Sequence, residues 1–164
     1  MIDTSKKFLV AGAGKSGIGS VNLLLKTGAD VSLYDGNEEL DKEALFEKLY
    51  EKKEISLVLG NITKEDIEKY DLLVLSPGIS VNAPIAQMFY DQEKPVWSEI
   101  ELAYQASKGK IAAITGTNGK TTTTALTGEI MKGYYESSFV VGNIGIPYTS
   151  VALDTQENSV ITAE

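Results

Sequence analysis

Short apolar runs alternate with amphipathic stretches along most of this chain. Phe8-Leu9-Val10-Ala11 predicts a buried strand, and Ile18, Val21, Leu24 and Leu25 repeat at helical spacing within residues 17–27. Val31-Ser32-Leu33-Tyr34 predicts a second strand. Residues 41–52 predict a charged amphipathic helix with Ala44, Leu45 and Leu49 inward. Ile55–Leu59 predicts a third strand, Thr63–Lys69 a short helix capped by Thr63, and Leu72–Leu75 a fully apolar fourth strand. A helix over Pro84–Tyr90 and a strand over Pro95–Trp97 follow. Ser98 then opens another helix, with Glu101 three residues on as in a capping box. Strands separated by helices predict a parallel sheet covered on both faces, and strand runs without polar alternation agree with that burial.

Around Ser107-Lys108-Gly109-Lys110 the pattern turns polar, and a domain boundary is placed there. Beyond it, residues 111–114 predict a strand, followed by a glycine-rich turn and a helix to about Lys132. Phe139–Val141 and Val160–Ala163 predict two further strands. So short a second unit is expected to be the start of a larger α/β domain, and the chain to be an amino-terminal fragment of a longer protein.

Composition narrows the chemistry. The 164 residues contain no cysteine and no histidine, which excludes disulfides, thiolate metal sites and imidazole bases among them. A net charge of −8 argues against a duplex nucleic-acid face. No apolar run approaches the roughly 20 residues of a membrane helix, and the start of the chain lacks a signal-peptide pattern. A cytoplasmic protein without nucleic-acid or membrane partners is expected, and a monomer.

Two glycine motifs stand at strand-to-helix turns. The later one reads Gly116-Thr117-Asn118-Gly119-Lys120-Thr121-Thr122. Gly116 and Gly119 would let the backbone approach phosphate oxygens, and amides at a helix start favour negative charge. Lys120 would reach the outer phosphates, and the Thr121 hydroxyl could ligate Mg²⁺. The common phosphate loop is G-x-x-x-x-G-K-[ST], whereas Ile114 stands five residues before Gly119 here, so the loop is shorter. ATP with Mg²⁺ is the expected ligand.

The earlier motif, Gly12-Ala13-Gly14-Lys15-Ser16-Gly17, fits G-x-G-x-x-G after a strand, with Asp35 ending the next strand. It admits a dinucleotide, with Asp35 on ribose hydroxyls, or a nucleoside diphosphate with its pyrophosphate at the helix start. Ser76-Pro77-Gly78-Ile79 ends the fourth strand, where ligands of such sheets bind, so Ser76 and Gly78 join this candidate site. An NAD-dependent oxidoreductase and a non-catalytic nucleotide-binding module therefore remain alternatives to an ATP-using enzyme.

Five segments in order resemble the Mur ligase family, most nearly its D-glutamate-adding branch. They are Gly12–Gly17, Ser76–Ile79, Ser98–Ala103, Thr115–Thr122 and Gly142-Asn143-Ile144-Gly145-Ile146-Pro147. The resemblance implies a Rossmann-like parallel-sheet domain over residues 1–107 that binds a UDP-sugar. It is followed, over residues 108–164, by the start of a P-loop α/β ATP-binding domain. It further implies an ATP-dependent ligase of peptidoglycan synthesis, joining D-glutamate to UDP-N-acetylmuramoyl-L-alanine through an acyl phosphate. By the same resemblance Gly14, Lys15 and Ser16 lie over the UDP pyrophosphate, Asp35 near the uridine, and Ser76 and Gly78 in that pocket. Asn143 contacts the sugar substrate. Gly116 to Thr122 hold ATP, with Lys120 and Thr121 catalytic, and Thr121 and Glu164 ligate Mg²⁺. The family's later histidine, modified lysine and amino-acid domain have no counterpart here, so the fragment is expected to be inactive by itself.

Overall fold

The computed structural model describes residues 2–164, which divide into two compact units, residues 2–102 and 103–164. The first unit is a five-stranded parallel sheet in the order β3-β2-β1-β4-β5. Its strands are β1 (Lys7–Ala11), β2 (Asp30–Asp35), β3 (Ser56–Leu59), β4 (Leu72–Leu75) and β5 (Val96–Ser98). Helices α1 (Lys15–Thr27), α2 (Lys42–Phe46), α3 (Lys64–Ile67) and α4 (Pro84–Asp91) connect them. Phe8 to Ala11 and Leu72 to Leu75 are buried throughout, as central parallel strands must be. Leu9, Ala11, Leu73 and Leu75 pack in one cluster with Ile67, Ile85, Ala86 and Phe89. The order reverses at β1: the chain leaves β1 for β2 on one side, and β4 pairs on the other. That reversal opens a crevice at the carboxyl ends of the strands.

The helix expected over residues 41–52 is broken. Only Lys42–Phe46 is α-helical, and a separate 3-10 turn covers Tyr50–Lys52, where Glu51 and Lys52 have φ of 54° and 51°. The cause lies in α1. The Asn22 carboxamide accepts the Tyr50 N–H at 2.6 Å and donates to the Lys48 carbonyl at 3.1 Å, taking backbone groups that a continuous helix needs. Leu45 and Leu49 are buried as expected, but Ala44 is exposed.

Thr63 caps α3 in a full capping box with Asp66. The backbone N–H and then the hydroxyl of Thr63 donate to the Asp66 carboxylate and hold its pKa below the ordinary 3.8. A lowered native pKa means that the cap stabilises fully above 3.8 and is lost as the pH falls through the native value. Amide exchange in Lys64–Ile67, corrected for intrinsic rates, should therefore speed up in that acid range while exchange in β4 stays put. Unchanged protection across it would contradict the cap.

Helix α5 (Glu99–Ala106) follows β5, and the Ser98 hydroxyl accepts the Glu101 N–H at 3.1 Å, as the cap reading expected. The polar turn Ser107–Lys110 comes just after α5. The second unit carries a three-stranded parallel sheet, β6 (Lys110–Ala113), β7 (Ser138–Val141) and β8 (Val160–Ala163), in the order β6-β8-β7. Helix α6 spans Lys120–Tyr134, and a short α7 spans Tyr148–Val151. Strand β8 is buried, but β6 is largely exposed despite its apolar residues. In α6 the buried positions are Thr124 and Gly128, while Leu126 and Ile130 are 62% and 50% exposed. Small residues face the sheet because the approach is close: a Cβ on Gly128 would overlap the Val140 side chain.

Candidate functional site

Two groups of functional side chains result, one in each unit. In the first, the loops after β1, β2 and β4 meet at the reversal of strand order. They line a cavity of about 830 Å³ that includes Gly12, Gly14, Lys15, Ser16, Asp35, Ser76 and Gly78. All six residues expected around the UDP moiety in this unit are therefore brought together. Helix α1 starts at Gly14 without any side-chain cap and without an acidic residue in its first turn. Its leading amides remain available to an anion, and the helix dipole adds to their field.

The glycine pattern is a packing solution as much as a binding one. A Cβ on Gly17 would collide with the Gly12 carbonyl oxygen, so helix and loop touch only because residue 17 has no side chain. The Ser76 hydroxyl donates to that same carbonyl at 3.3 Å, and the Gly12 N–H donates to the Tyr34 carbonyl at 2.7 Å. The Asp35 carboxylate accepts the Ala13 N–H at 2.7 Å and the Asn37 N–H at 2.9 Å.

Sequence reasoning missed the remainder of the lining. Tyr34, Asn61, Ile62, Ile79, Ile85 and Met88 form a broad, largely apolar end of the cavity. They come from a strand, two loops and a helix with no shared motif. The only available signal was position: Asn61 and Ile62 follow the carboxyl end of β3.

In the second unit the phosphate loop follows β6, the Gly142–Pro147 loop follows β7, and Glu164 follows β8. Three neighbouring parallel strands thus deliver their carboxyl ends to one place. Gly119 caps α6 with φ 75° and ψ 0°, a left-handed conformation natural to glycine, and no side chain caps the helix. The Lys120 ammonium donates to the Gly116 carbonyl at 2.7 Å, bending back across the loop. The Thr121 hydroxyl donates to Glu164 Oε1 at 3.2 Å, and Asn143 Nδ2 lies 3.5 Å from the same oxygen. Glu164 Oε2 is buried with no hydrogen-bond partner. Thr117, Asn118 and Thr122 lie in the loop and the first turn of α6. Asn143 is thus brought beside Glu164 and Thr121.

The donor set suits a hard divalent cation. A hydroxyl and a carboxylate with an unsatisfied oxygen stand beside a loop shaped for phosphates, and Mg²⁺ takes few protein ligands and completes its shell with phosphate and water. Among the described residues no three His, Cys, Asp or Glu side chains converge, so an all-protein metal cage is not what this site offers. Among the described residues no helix is long and apolar enough to cross a membrane.

Comparison with known proteins identifies the family. The family description "Mur ligase MurD-like, N-terminal domain" matches residues 6–98. The UDP-N-acetylmuramoylalanine–D-glutamate ligase of Lachnospira eligens is 53% identical over 98% of this chain, and that of Lachnoclostridium phytofermentans 52% over 97%. The chain spans 35% of the length of each. Among solved structures, a pseudomurein peptide ligase type C from Methanothermus fervidus superposes with TM-score 0.53 at 22% identity, covering 96% of this chain and 32% of its own. A murein peptide ligase from Psychrobacter arcticus gives 0.52 at 16%, covering 96% and 37%. At those identities the structures speak for the fold alone. The family match covers both the leading glycine motif and Asp35, the features on which the oxidoreductase alternative rested, and does not favour it. With the family description matching residues 6–98 and relatives 53% and 52% identical over 98% and 97% of its length, this chain belongs to the Mur ligase family, and its first unit to the MurD-like amino-terminal domain.

Proposed function

We propose that this chain supplies the UDP-sugar site, in residues 1–107, and the start of the ATP site, in residues 108–164, of a cytoplasmic, monomeric ligase. That ligase joins D-glutamate to UDP-N-acetylmuramoyl-L-alanine at the expense of ATP. The observation that carries the reading is the pair of uncapped helix starts, α1 at Gly14 and α6 at Gly119, each fed by a glycine turn. A single nucleotide has no use for two such starts; a condensation that activates one nucleotide-borne substrate with another needs both. The names of the relatives in Lachnospira and Lachnoclostridium supply the substrate pair.

In this reading the amides of Lys15 and Ser16 hold the pyrophosphate, and Ser76 and Gly78 wall the same cavity. Asp35 lies toward the uridine. Asn143, beside Glu164, orients the sugar substrate where its carboxylate is to be activated. Gly116 to Thr122 wrap the triphosphate of ATP. Lys120 places its ammonium over the loop, where it offsets charge that builds on the transferring phosphoryl group. Thr121 and Glu164 would hold Mg²⁺, whose charge adds to that neutralisation when bound.

Two measurements test the function. A protein of the relatives' length should release phosphate from ATP only when UDP-N-acetylmuramoyl-L-alanine and D-glutamate are both present. The 164-residue chain alone should be stabilised by UDP against heat, since a ligand selective for the native state raises its stability, yet release no phosphate. Stabilisation by NAD without a UDP response, or phosphate release that ignores D-glutamate, would overturn the reading.

A further inference from the structure

We propose that Thr124 and Thr162 hold one buried water against the inner oxygen of Glu164, and so act as positioning residues for the carboxylate that would meet Mg²⁺. The proposal rests on the reading of Thr121 and Glu164 as the metal-holding pair and adds the layer beneath them.

The seam between α6 and the second sheet is built in layers. Helix α6 packs on β7 and β8. The ladder of β8 runs on past Ala163, since the Glu164 N–H donates to the Val141 carbonyl at 3.1 Å. Successive strand side chains alternate between faces, so Thr162 and Glu164 share one. It is the face under α6: Thr162 stands in register with Val140, whose side chain lies against Gly128 of the helix. On the helix, Thr121, Thr124 and Gly128 are spaced three and four residues apart and so lie along one side. At the upper end of the seam the Thr121 hydroxyl meets Glu164 Oε1 at 3.2 Å. Helix α6 starts where the strands end and runs back along them. One turn along the helix is about 5 Å, and two residues back along the strand are about 6.6 Å. The layer below Thr121 and Glu164 therefore sets Thr124 opposite Thr162.

Both threonines are 0% exposed, and neither hydroxyl has a hydrogen-bond partner within the protein. Thr124 does not bond back to a carbonyl of its own helix, the usual resort of a helical threonine. Glu164 Oε2 is buried and unpartnered as well. The groups are complementary: two hydroxyls with a proton to donate, and an ionised carboxylate that only accepts. They do not bond one another directly. A single water suits this set. It accepts both hydroxyl protons and donates one of its own to Oε2, making about three bonds, the usual number for a buried water. That bond turns the carboxylate so that Oε1 stays toward Thr121 and the phosphate loop.

Thr162→Val keeps shape and β-branching but removes the hydroxyl, whereas Thr162→Ser keeps the hydroxyl. Crystals of a protein of the relatives' length, at a resolution that orders solvent, should show one water within hydrogen-bond reach of Thr124 Oγ1, Thr162 Oγ1 and Glu164 Oε2. The same place should be dry in Thr162→Val. The gain in ATP affinity on adding Mg²⁺ should shrink roughly 10-fold in Thr162→Val, as when a partner behind a metal ligand is lost, and recover in Thr162→Ser. Affinity measured in EDTA should be the same in all three proteins. A dry seam in the wild-type crystal, or either hydroxyl bonded directly to Oε2, would overturn the proposal. So would a wild-type Mg²⁺ gain in Thr162→Val, or a loss in EDTA as large as the loss with Mg²⁺, which would leave Thr162 a packing role only. A wild-type protein whose ATP affinity ignores Mg²⁺ would sink the proposed function instead, and the crystals would still report on the water.

Discussion

Lys120→Ala should weaken ATP binding by roughly 100-fold in a protein of the relatives' length and leave UDP-sugar affinity unchanged. The Lys120 ammonium bends across the phosphate loop, held at 2.7 Å from the Gly116 carbonyl. Hydrogen bonds from a charged donor contribute about 1.5–3 kcal/mol each, and alanine removes both the charge and the donors. The rate of phosphoryl transfer should fall further than the affinity, because negative charge on the transferring group is stabilised more in the transition state than in bound ATP. Equilibrium titration with ATP and with the UDP-sugar, side by side, checks this. Equal loss of both affinities would contradict two separate sites.

Gly17→Ala should lower the melting temperature by roughly 15 °C and abolish UDP binding. The new Cβ would sit on the Gly12 carbonyl oxygen, a backbone atom that cannot swing aside as a side chain could. The start of α1 would have to lift off β1, which is buried from Phe8 to Ala11, and overpacking of this kind costs about 3 kcal/mol. Gly14→Ala is the control. A Cβ at Gly14 meets nothing within 4 Å, and its φ of −71° suits any residue, so thermal stability should barely move. Circular dichroism melts of the two variants decide the matter; similar melting temperatures would show that Gly17 has no packing role.

Those two glycines show where reading the chain stops. The hexamer Gly12–Gly17 announces a cradle between strand and helix, but its spacing does not say which glycine makes room for backbone and which faces open space. The runs Leu72–Leu75 and Val160–Ala163 were legible to the residue, since four residues rich in β-branched and aliphatic side chains, too few for a helix, suit a strand buried on both faces. Residues 41–52 were misread because periodicity reports one face of a helix and nothing about competitors for its hydrogen bonds. Asn22, twenty-six residues from Lys48, was the competitor. In α6 the large apolar side chains Leu126 and Ile130 stay exposed, because the close approach of Val140 selects Thr124 and Gly128 for the buried side.

The site divides along the same line. Gly14, Lys15, Ser16, Gly116, Lys120 and Thr121 were legible as a group at each strand-to-helix turn, because a glycine turn opening a helix needs a fixed local spacing. The apolar end of the cavity, Tyr34, Ile62, Ile79 and Met88, was not legible, since its residues converge only when β3 and β2 are laid on one side of β1 and β4 on the other. By itself the order of amino acids determined the alternation of strand and helix, the parallel sheets and the two glycine turns that open α1 and α6, all of which follow from short-range patterns. Tertiary structure alone decided that each Asp35 carboxylate oxygen accepts a backbone N–H and that Glu164 stands against Thr121 with one oxygen unsatisfied. Such facts depend on which distant loops the strand order makes neighbours, and no local pattern carries that information.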